Sequence, residues 1–137
     1  MKNLILLFLV VSPWSMTIEN DKEKFVGKWI GDDKYQIGPI NFDSEGYAFF
    51  EIEGQIFGGK EFVLEGEKGK MTYEINTETN PIQVDLIITK LEHGEQIKLL
   101  CIAEFIDDDN MKFAVSFEGQ RPTEFDSENS IVLKREN

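Results

Sequence analysis

Apolar and polar side chains alternate along three segments of this 137-residue chain, residues 82–89, 96–106 and 111–117. Successive side chains of a β-strand point to opposite faces, so this alternation predicts strands with one buried and one solvated face. The first segment, for example, places Ile82, Val84, Leu86 and Ile88 on a single face. The period is two residues rather than the 3.6 of a helix, and the sequence therefore predicts an antiparallel all-β protein.

Turn-forming residues separate these segments from further predicted strands. Turns are expected at residues 43–46, 57–60, 67–69, 77–81, 92–95 and 107–110. The predicted strands cover residues 25–30, 40–42, 47–53, 61–65, 70–76, 82–89, 96–106, 111–117 and 130–136. Closing such a meander into a barrel removes the exposed edges that promote aggregation. We therefore expect an up-and-down β-barrel of about eight to ten strands, whose interior is either filled by side chains or holds one small ligand.

The charge balance of the chain is strongly acidic. It has 14 Lys and Arg against 26 Asp and Glu, for a net charge of −12, while 41% of its residues are hydrophobic and 11 are Phe. The apolar content is that of a globular protein, and the length fits one domain with a single core. The negative charge disfavours nucleic acid and anionic lipid surfaces as partners, because it repels phosphate groups.

The first 16 residues resemble a secretory signal. Lys2 precedes an apolar run from Leu4 to Val11, and small residues and Pro13 follow it. This run is too short for an integral membrane span. We expect residues 1–16 to be a signal peptide, residues 20–137 to form the barrel domain, and the protein to be exported; the alternative is an uncleaved first strand or helix. Cys101 is the only cysteine, so no intramolecular disulfide can form.

Short motifs along the chain resemble a known family. Gly27 and Trp29 in "FVGKW" look like the Gly-x-Trp opening of lipocalin-type (calycin) barrels. The pieces "GKW", "EGEKGKMTYEINTETNPIQVDL", "GQRPTEF" and "LKRE", in this order between Gly27 and Glu136, are similar to the lipocalin-like conserved hypothetical domain first described from planctomycetes. The resemblance implies a lipocalin-like β-barrel. That family has no assigned activity, so the resemblance implies no catalytic residues.

Residues able to carry chemistry are few. His93 is the only histidine, and a catalytic triad would need it between an acid and a nucleophile, whereas only Glu92 and Glu95 are near it in sequence. One His and one Cys do not supply the nitrogen and sulfur ligands of a zinc site. The acidic run 107–109 lacks the Gly and Glu that an EF-hand loop requires. We expect an exposed turn histidine, a solvated acidic hairpin turn, no catalytic residue, no metal and no cofactor.

The stretch "GQRPTEFDSENS" before the last predicted strand indicates a loop that closes the barrel. Pro122 has no N–H and is expected to end strand pairing after Phe117, while Phe125 is expected to return to the barrel. Since the last strand of a closed meander pairs with the first, Arg121 or Arg135 is expected over the indole of Trp29. The alternative role of Arg121 is to bind an anionic ligand.

Two functions from different classes remain open from the sequence. The first is a non-enzymatic carrier or sensor of a small hydrophobic molecule, suggested by a barrel rich in Phe. The second is a filled barrel that acts as a structural or protein-interaction module, suggested by the lack of convergent polar residues. For the first, the expected ligand-binding side chains are Phe105, Phe113, Val115 and Phe117.

Overall fold

A computed structural model describes residues 22–31, 39–116 and 119–136, and in these ranges the protein is built from ten β-strands. The predicted signal peptide, residues 1–16, lies outside the described residues. Within the described ranges, no helix has the length and apolar character needed to cross a bilayer. The strands are β1 (Gly27–Gly31), β2 (Ile40–Phe42), β3 (Ala48–Ile52), β4 (Gln55–Gly58), β5 (Phe62–Leu64), β6 (Glu67–Asn76), β7 (Ile82–Lys90), β8 (Gln96–Asp107), β9 (Asn110–Ser116) and β10 (Ser130–Glu136).

All ten strands form one antiparallel sheet in the order β4-β3-β2-β1-β10-β9-β8-β7-β6-β5. The first and last strands of the chain are neighbours in it, with Trp29 opposite Arg135. The sheet curls until β3 approaches β6, where Tyr47 forms a bridge with Thr72 and the Tyr73 N–H donates to the Gly46 carbonyl over 3.1 Å. The protein is thus a nearly closed up-and-down β-barrel, as the alternation in the sequence predicts.

Two of the predicted turns are wrong. Both lie at the seam of the barrel, where the edge strands β4 and β5 of the curled sheet come together. Residues 57–60 were expected to form a turn, but β4 occupies 55–58 and pairs with β3, Phe57 lying opposite Phe50. The turn expected at 67–69 lies instead at residues 65–66, and β6 begins at Glu67. At Gly58, a Cβ atom would lie 2.6 Å from the Ala48 carbonyl oxygen, so the glycine allows a close strand approach rather than a turn.

The interior of the barrel is apolar, and its two ends differ. At the closed end, Phe25 precedes β1 and the turn at 108–109 joins β8 to β9. The opposite end, called here the cup end, carries the turns at 53–54, 65–66 and 91–95. Every strand except β4 contributes at least one buried side chain to a single hydrophobic cluster. β4 contributes Phe57, which is partly buried and packs against this cluster. The alternating faces of β7, β8 and β9 expected from the sequence are thereby confirmed, apart from Ile97, which is 39% exposed at the cup end.

Candidate functional site

Trp29 and Phe25 fill the closed end of the barrel. Both are fully buried, and the Trp29 indole N–H donates to the Phe25 carbonyl over 2.8 Å. The Phe25 ring meets Phe105 edge-on at 4.9 Å and Phe42 at 6.0 Å between ring centroids. A hydrogen bond for the indole removes the cost of burying its only polar group. The closed end is therefore a packed floor.

Arg135 covers the outer side of this floor. Its guanidinium carbon lies 4.3 Å from the centroid of the Trp29 ring. The same guanidinium donates to the carbonyls of Val26 over 2.9 Å and Lys24 over 2.5 Å, and to that of Asp108 over 3.2 Å. The expected contact between Trp29 and a basic side chain is confirmed, and Arg135 makes it.

Gly27 gives the guanidinium the space it occupies. A Cβ atom at this position would lie 2.9 Å from Arg135 Nη1. The backbone φ is 137°, a value that residues other than glycine rarely adopt. The Gly-x-Trp motif thus has a physical reason in this chain. Its Gly makes room for the cation, and its Trp supplies the ring on which the cation lies.

Arg121 lies elsewhere, on the outside of the barrel. Its Nη2 is 2.6 Å from Asp85 Oδ1 and its Nη1 donates to the Cys101 carbonyl over 2.9 Å. Asp85 lies between the inward residues Val84 and Leu86, so its side chain points outward. Arg121 is therefore not the cation over Trp29, and with a carboxylate already bound it is not free to hold an anionic ligand.

Residues 119–129, called here the strap, include Arg121 and lie on the outer face of the barrel. Lys112, which is exposed on β9, lies 5.9 Å from the centroid of the Phe125 ring. Ile102 and Ala114 point outward, away from the interior cluster, yet they are almost fully buried on the face along which the strap runs. The expectation that Phe125 returns to the barrel interior is corrected: its ring lies outside.

The strap is held in shape by its own polar groups. The Asp126 carboxylate accepts the N–H groups of Glu128 and Asn129, each over 2.8 Å, and the Asn129 carbonyl accepts the Val115 N–H over 3.3 Å. Pro122 lies within this strap, half-buried, well after β9 ends at Ser116. Its lack of an N–H therefore suits a loop and does not end the strand.

The core of the barrel is packed with apolar side chains. Trp29, Phe42, Met71, Leu86 and Met111 are fully buried, and no fully or nearly fully buried residue in the described ranges is polar or charged. Phe105 contacts Phe25 and lies 6.1 Å from Trp29, so it belongs to the floor rather than to a ligand site. Phe113, with 4% of its surface exposed, is packed in the middle of the core.

Inward side chains near the cup end pack against the core and remain partly exposed. We call this group the cup; it consists of Phe50, Phe57, Leu64, Leu99, Val115 and Ile131. Above it, Ile52 and Ile97 are 46% and 39% exposed. Of the four side chains expected to bind a ligand, only Val115 lies in the cup, and Phe117 lies outside the described residues.

Most of the cup could not be located from the sequence, for a definable reason. Phe57 fell in a predicted turn, and Phe50 and Leu64 lie on strands too short to show clear alternation. The cross-strand pair of Phe50 and Phe57 is the signal that would have located the cup, but it depends on a strand register that the sequence does not reveal.

The buried thiol of Cys101 lies below the cup. Burial, with a smaller contribution from the nearby Asp85 carboxylate, raises the pKa of this thiol to about 12. Nucleophilic chemistry needs a thiolate, which a raised pKa disfavours. Cys101 is therefore a core residue.

A shallow cleft of about 560 Å³ lies beside the closed end. Its polar lining includes Lys22, Glu23, Glu45 and Glu74. Tyr73 lies at its base, and its hydroxyl donates to the Asp43 carbonyl over 2.6 Å. Since that hydroxyl is already engaged and the carboxylates are exposed, the cleft offers less to a ligand than the apolar cup.

His93 lies near carboxylates at the cup end. One ligand atom from each of Glu67, Glu92 and His93 lies within 4.8 Å of the others. Lys90, however, places its ammonium 3.1 Å from Glu67 and holds the pKa of that carboxyl below its usual value. A cation is thus already bound to the least exposed of the three groups, and the His93 side chain is 58% exposed, as expected for a turn histidine.

Comparison with known proteins adds no relatives. No model of a protein family matches this chain, and no match was found among curated proteins or solved structures.

Proposed function

We propose that this protein is a non-enzymatic, exported carrier or sensor that binds a small apolar molecule in the cup of a lipocalin-like barrel. The observation that carries the proposal is a group of apolar, inward-pointing and partly exposed side chains at the cup end, which pack against a core of fully buried side chains. Ligand sites are commonly concave and apolar, and the mouths of β-barrels are frequent locations for them.

The packed floor supports this assignment because it gives the cup a base. Trp29, Phe25 and Arg135 close one end of the barrel, so a ligand can enter only from the other end or through the seam. The Gly-x-Trp motif with a basic side chain on the indole is in keeping with the resemblance to lipocalin-type barrels. Export is proposed from residues 1–16, in which a lysine, an apolar run and small residues follow one another as in a secretory signal.

The proposal can be tested with a neutral fluorescent probe, N-phenyl-1-naphthylamine, whose emission rises in apolar surroundings. We expect saturable binding to the native protein and a higher melting temperature with the probe present. Binding at a hundredfold excess over Kd stabilises a protein by about 2.7 kcal/mol. That amount shifts the melting temperature of a domain of this size by several degrees.

Replacement of Val115 by Trp should fill the cup and abolish probe binding. Val132→Trp is the matched control, because Val132 lies on the neighbouring strand β10, points outward and is 42% exposed. Circular dichroism establishes that both variants are folded, and Leu99→Trp replaces Val115→Trp if the latter does not fold. An unchanged melting temperature together with no saturable binding would contradict the proposal. This result would favour the alternative, a filled barrel that acts as a protein-interaction module.

A further inference from the structure

We infer that the cup selects uncharged apolar ligands over carboxylate-ended ligands of the same chain length. The inference rests on the proposed function and specifies its ligand class. It depends on three features of the described residues: the polar groups of the interior, the cations at the rim of the cup and the charge around that rim.

Polar groups inside the barrel are already engaged with the protein. The Trp29 indole N–H donates to the Phe25 carbonyl, and the Cys101 thiol donates to the Leu99 carbonyl over 3.7 Å. In the described ranges no buried side-chain nitrogen or oxygen lacks a hydrogen-bond partner. A ligand carboxylate that entered the cup would therefore lose its hydration and find no donor side chain in return, which is strongly unfavourable.

Cations near the rim are held by carboxylates. The ammonium of Lys90 lies 3.1 Å from Glu67 and 3.8 Å from Glu95, and only 17% of the Lys90 side chain is exposed. Lys68 lies 3.4 Å from Glu61. An anionic ligand would have to displace one of these carboxylates.

The remaining lysines of the long strands near the cup point away from it. Lys70 and Lys98 alternate with the inward residues Met71 and Leu99, so they lie on the outer face of the barrel. By the same alternation, Lys90 lies on the inward side at the rim of the cup, but two carboxylates already hold its ammonium.

The charge around the rim also disfavours an anion. The three turns at the cup end contain Glu53, Glu65 and Glu92, each exposed, and the chain as a whole carries a net charge of −12. A rim that carries an excess of one sign of charge repels ligands of the same sign and lowers their local concentration. An uncharged ligand is not repelled by the rim and has no carboxylate that must lose its hydration.

The experiment compares 1-decanol with decanoate as competitors for bound N-phenyl-1-naphthylamine at pH 8, where the acid is ionised. We expect decanol to displace the probe at a concentration at least about tenfold lower than decanoate, a difference that the burial of a charge readily produces. Equal displacement, or tighter binding of decanoate, would overturn the inference while leaving the proposed function in place. Failure of the probe itself to bind would overturn the proposed function and the inference together.

A double variant tests the role of the rim directly. Glu67→Gln with Glu95→Gln removes both carboxylates from Lys90 and should increase the affinity for decanoate several-fold without changing that for decanol. The matched control is Glu74→Gln with Glu104→Gln, which makes the same change in net charge at exposed positions on the outer faces of β6 and β8. An equal gain in the control would assign the effect to net charge, and no gain in either variant would show that ion pairing at the rim does not set the preference; both results overturn this part of the inference.

Discussion

Arg135 lies over the indole of Trp29, with 4.3 Å between its guanidinium carbon and the ring centroid. The two residues are direct partners in the pairing of β10 with β1, and so they join the last strand of the chain to the first. The guanidinium also binds carbonyls on both sides of the floor, at Val26 and at Asp108. One side chain therefore fastens the N-terminal segment, the first strand and the β8–β9 turn to the end of the barrel.

Replacing Trp29 by Ala should lower the free energy of unfolding by about 3–5 kcal/mol, as is typical when a buried aromatic side chain is removed. The indole is fully buried and lies against Phe105, so its loss leaves a cavity in the floor. Urea unfolding followed by fluorescence or circular dichroism measures the change. The control is Ile30→Ala, one residue further along β1, where the side chain is 40% exposed and a smaller loss is expected. Equal losses in the two variants would contradict the assignment of Trp29 to the floor.

Replacing Arg135 by Lys should also destabilise the protein, although the charge is kept. A lysine has a compact ammonium in place of the planar fork, so it cannot stack on the indole and reach the same carbonyls together. A loss of about 1–2 kcal/mol is expected from the missing hydrogen bonds. Lys134→Arg, the reverse exchange at the exposed neighbouring residue, should change the stability by less than about 0.5 kcal/mol. Denaturant midpoints that coincide for R135K and the unsubstituted protein would show that the fork is not needed.

The long strands of this fold follow from the sequence because their side chains alternate over many residues. In β7 and β8, each inward position is apolar for most of the strand, and this pattern fixes the face whatever the partner. The short strands β4 and β5 have too few residues to show a period, and their positions depend on the close approach at Gly58. The position of the strap could not be predicted from the sequence either. Arg121 of the strap pairs with Asp85, which is far away in sequence, and no local pattern identifies this pair.

Replacing Arg121 by Gln should loosen the strap without unfolding the barrel. The ion pair with Asp85 is about one-fifth exposed, so the expected loss of stability is modest, about 1 kcal/mol. Hydrogen–deuterium exchange should show faster exchange in residues 119–129 and unchanged exchange in β7, because the strap lies outside the sheet. Lys98→Gln, at an exposed position on the outer face of β8, is the control. Faster exchange throughout β7 and β8 would instead show that Arg121 stabilises the barrel itself.

The buried thiol of Cys101 should make the protein less stable at high pH. Its pKa is raised to about 12 in the folded state from an ordinary value of 9.0, chiefly by burial. Below about pH 9 the thiol is protonated in both states, so folding carries no penalty from it. Above that pH the unfolded chain loses the proton first and is favoured, by about 1.4 kcal/mol at pH 10, one unit above the ordinary value.

Urea unfolding between pH 8 and pH 10 measures this loss, with Cys101→Val as the reference that keeps an apolar side chain of similar size. The stability of the unsubstituted protein should fall more steeply with pH than that of the variant, because other groups that titrate in this range are common to both. Parallel curves would show that the thiol ionises as readily in the folded protein as in the unfolded chain, and would contradict its placement in the core.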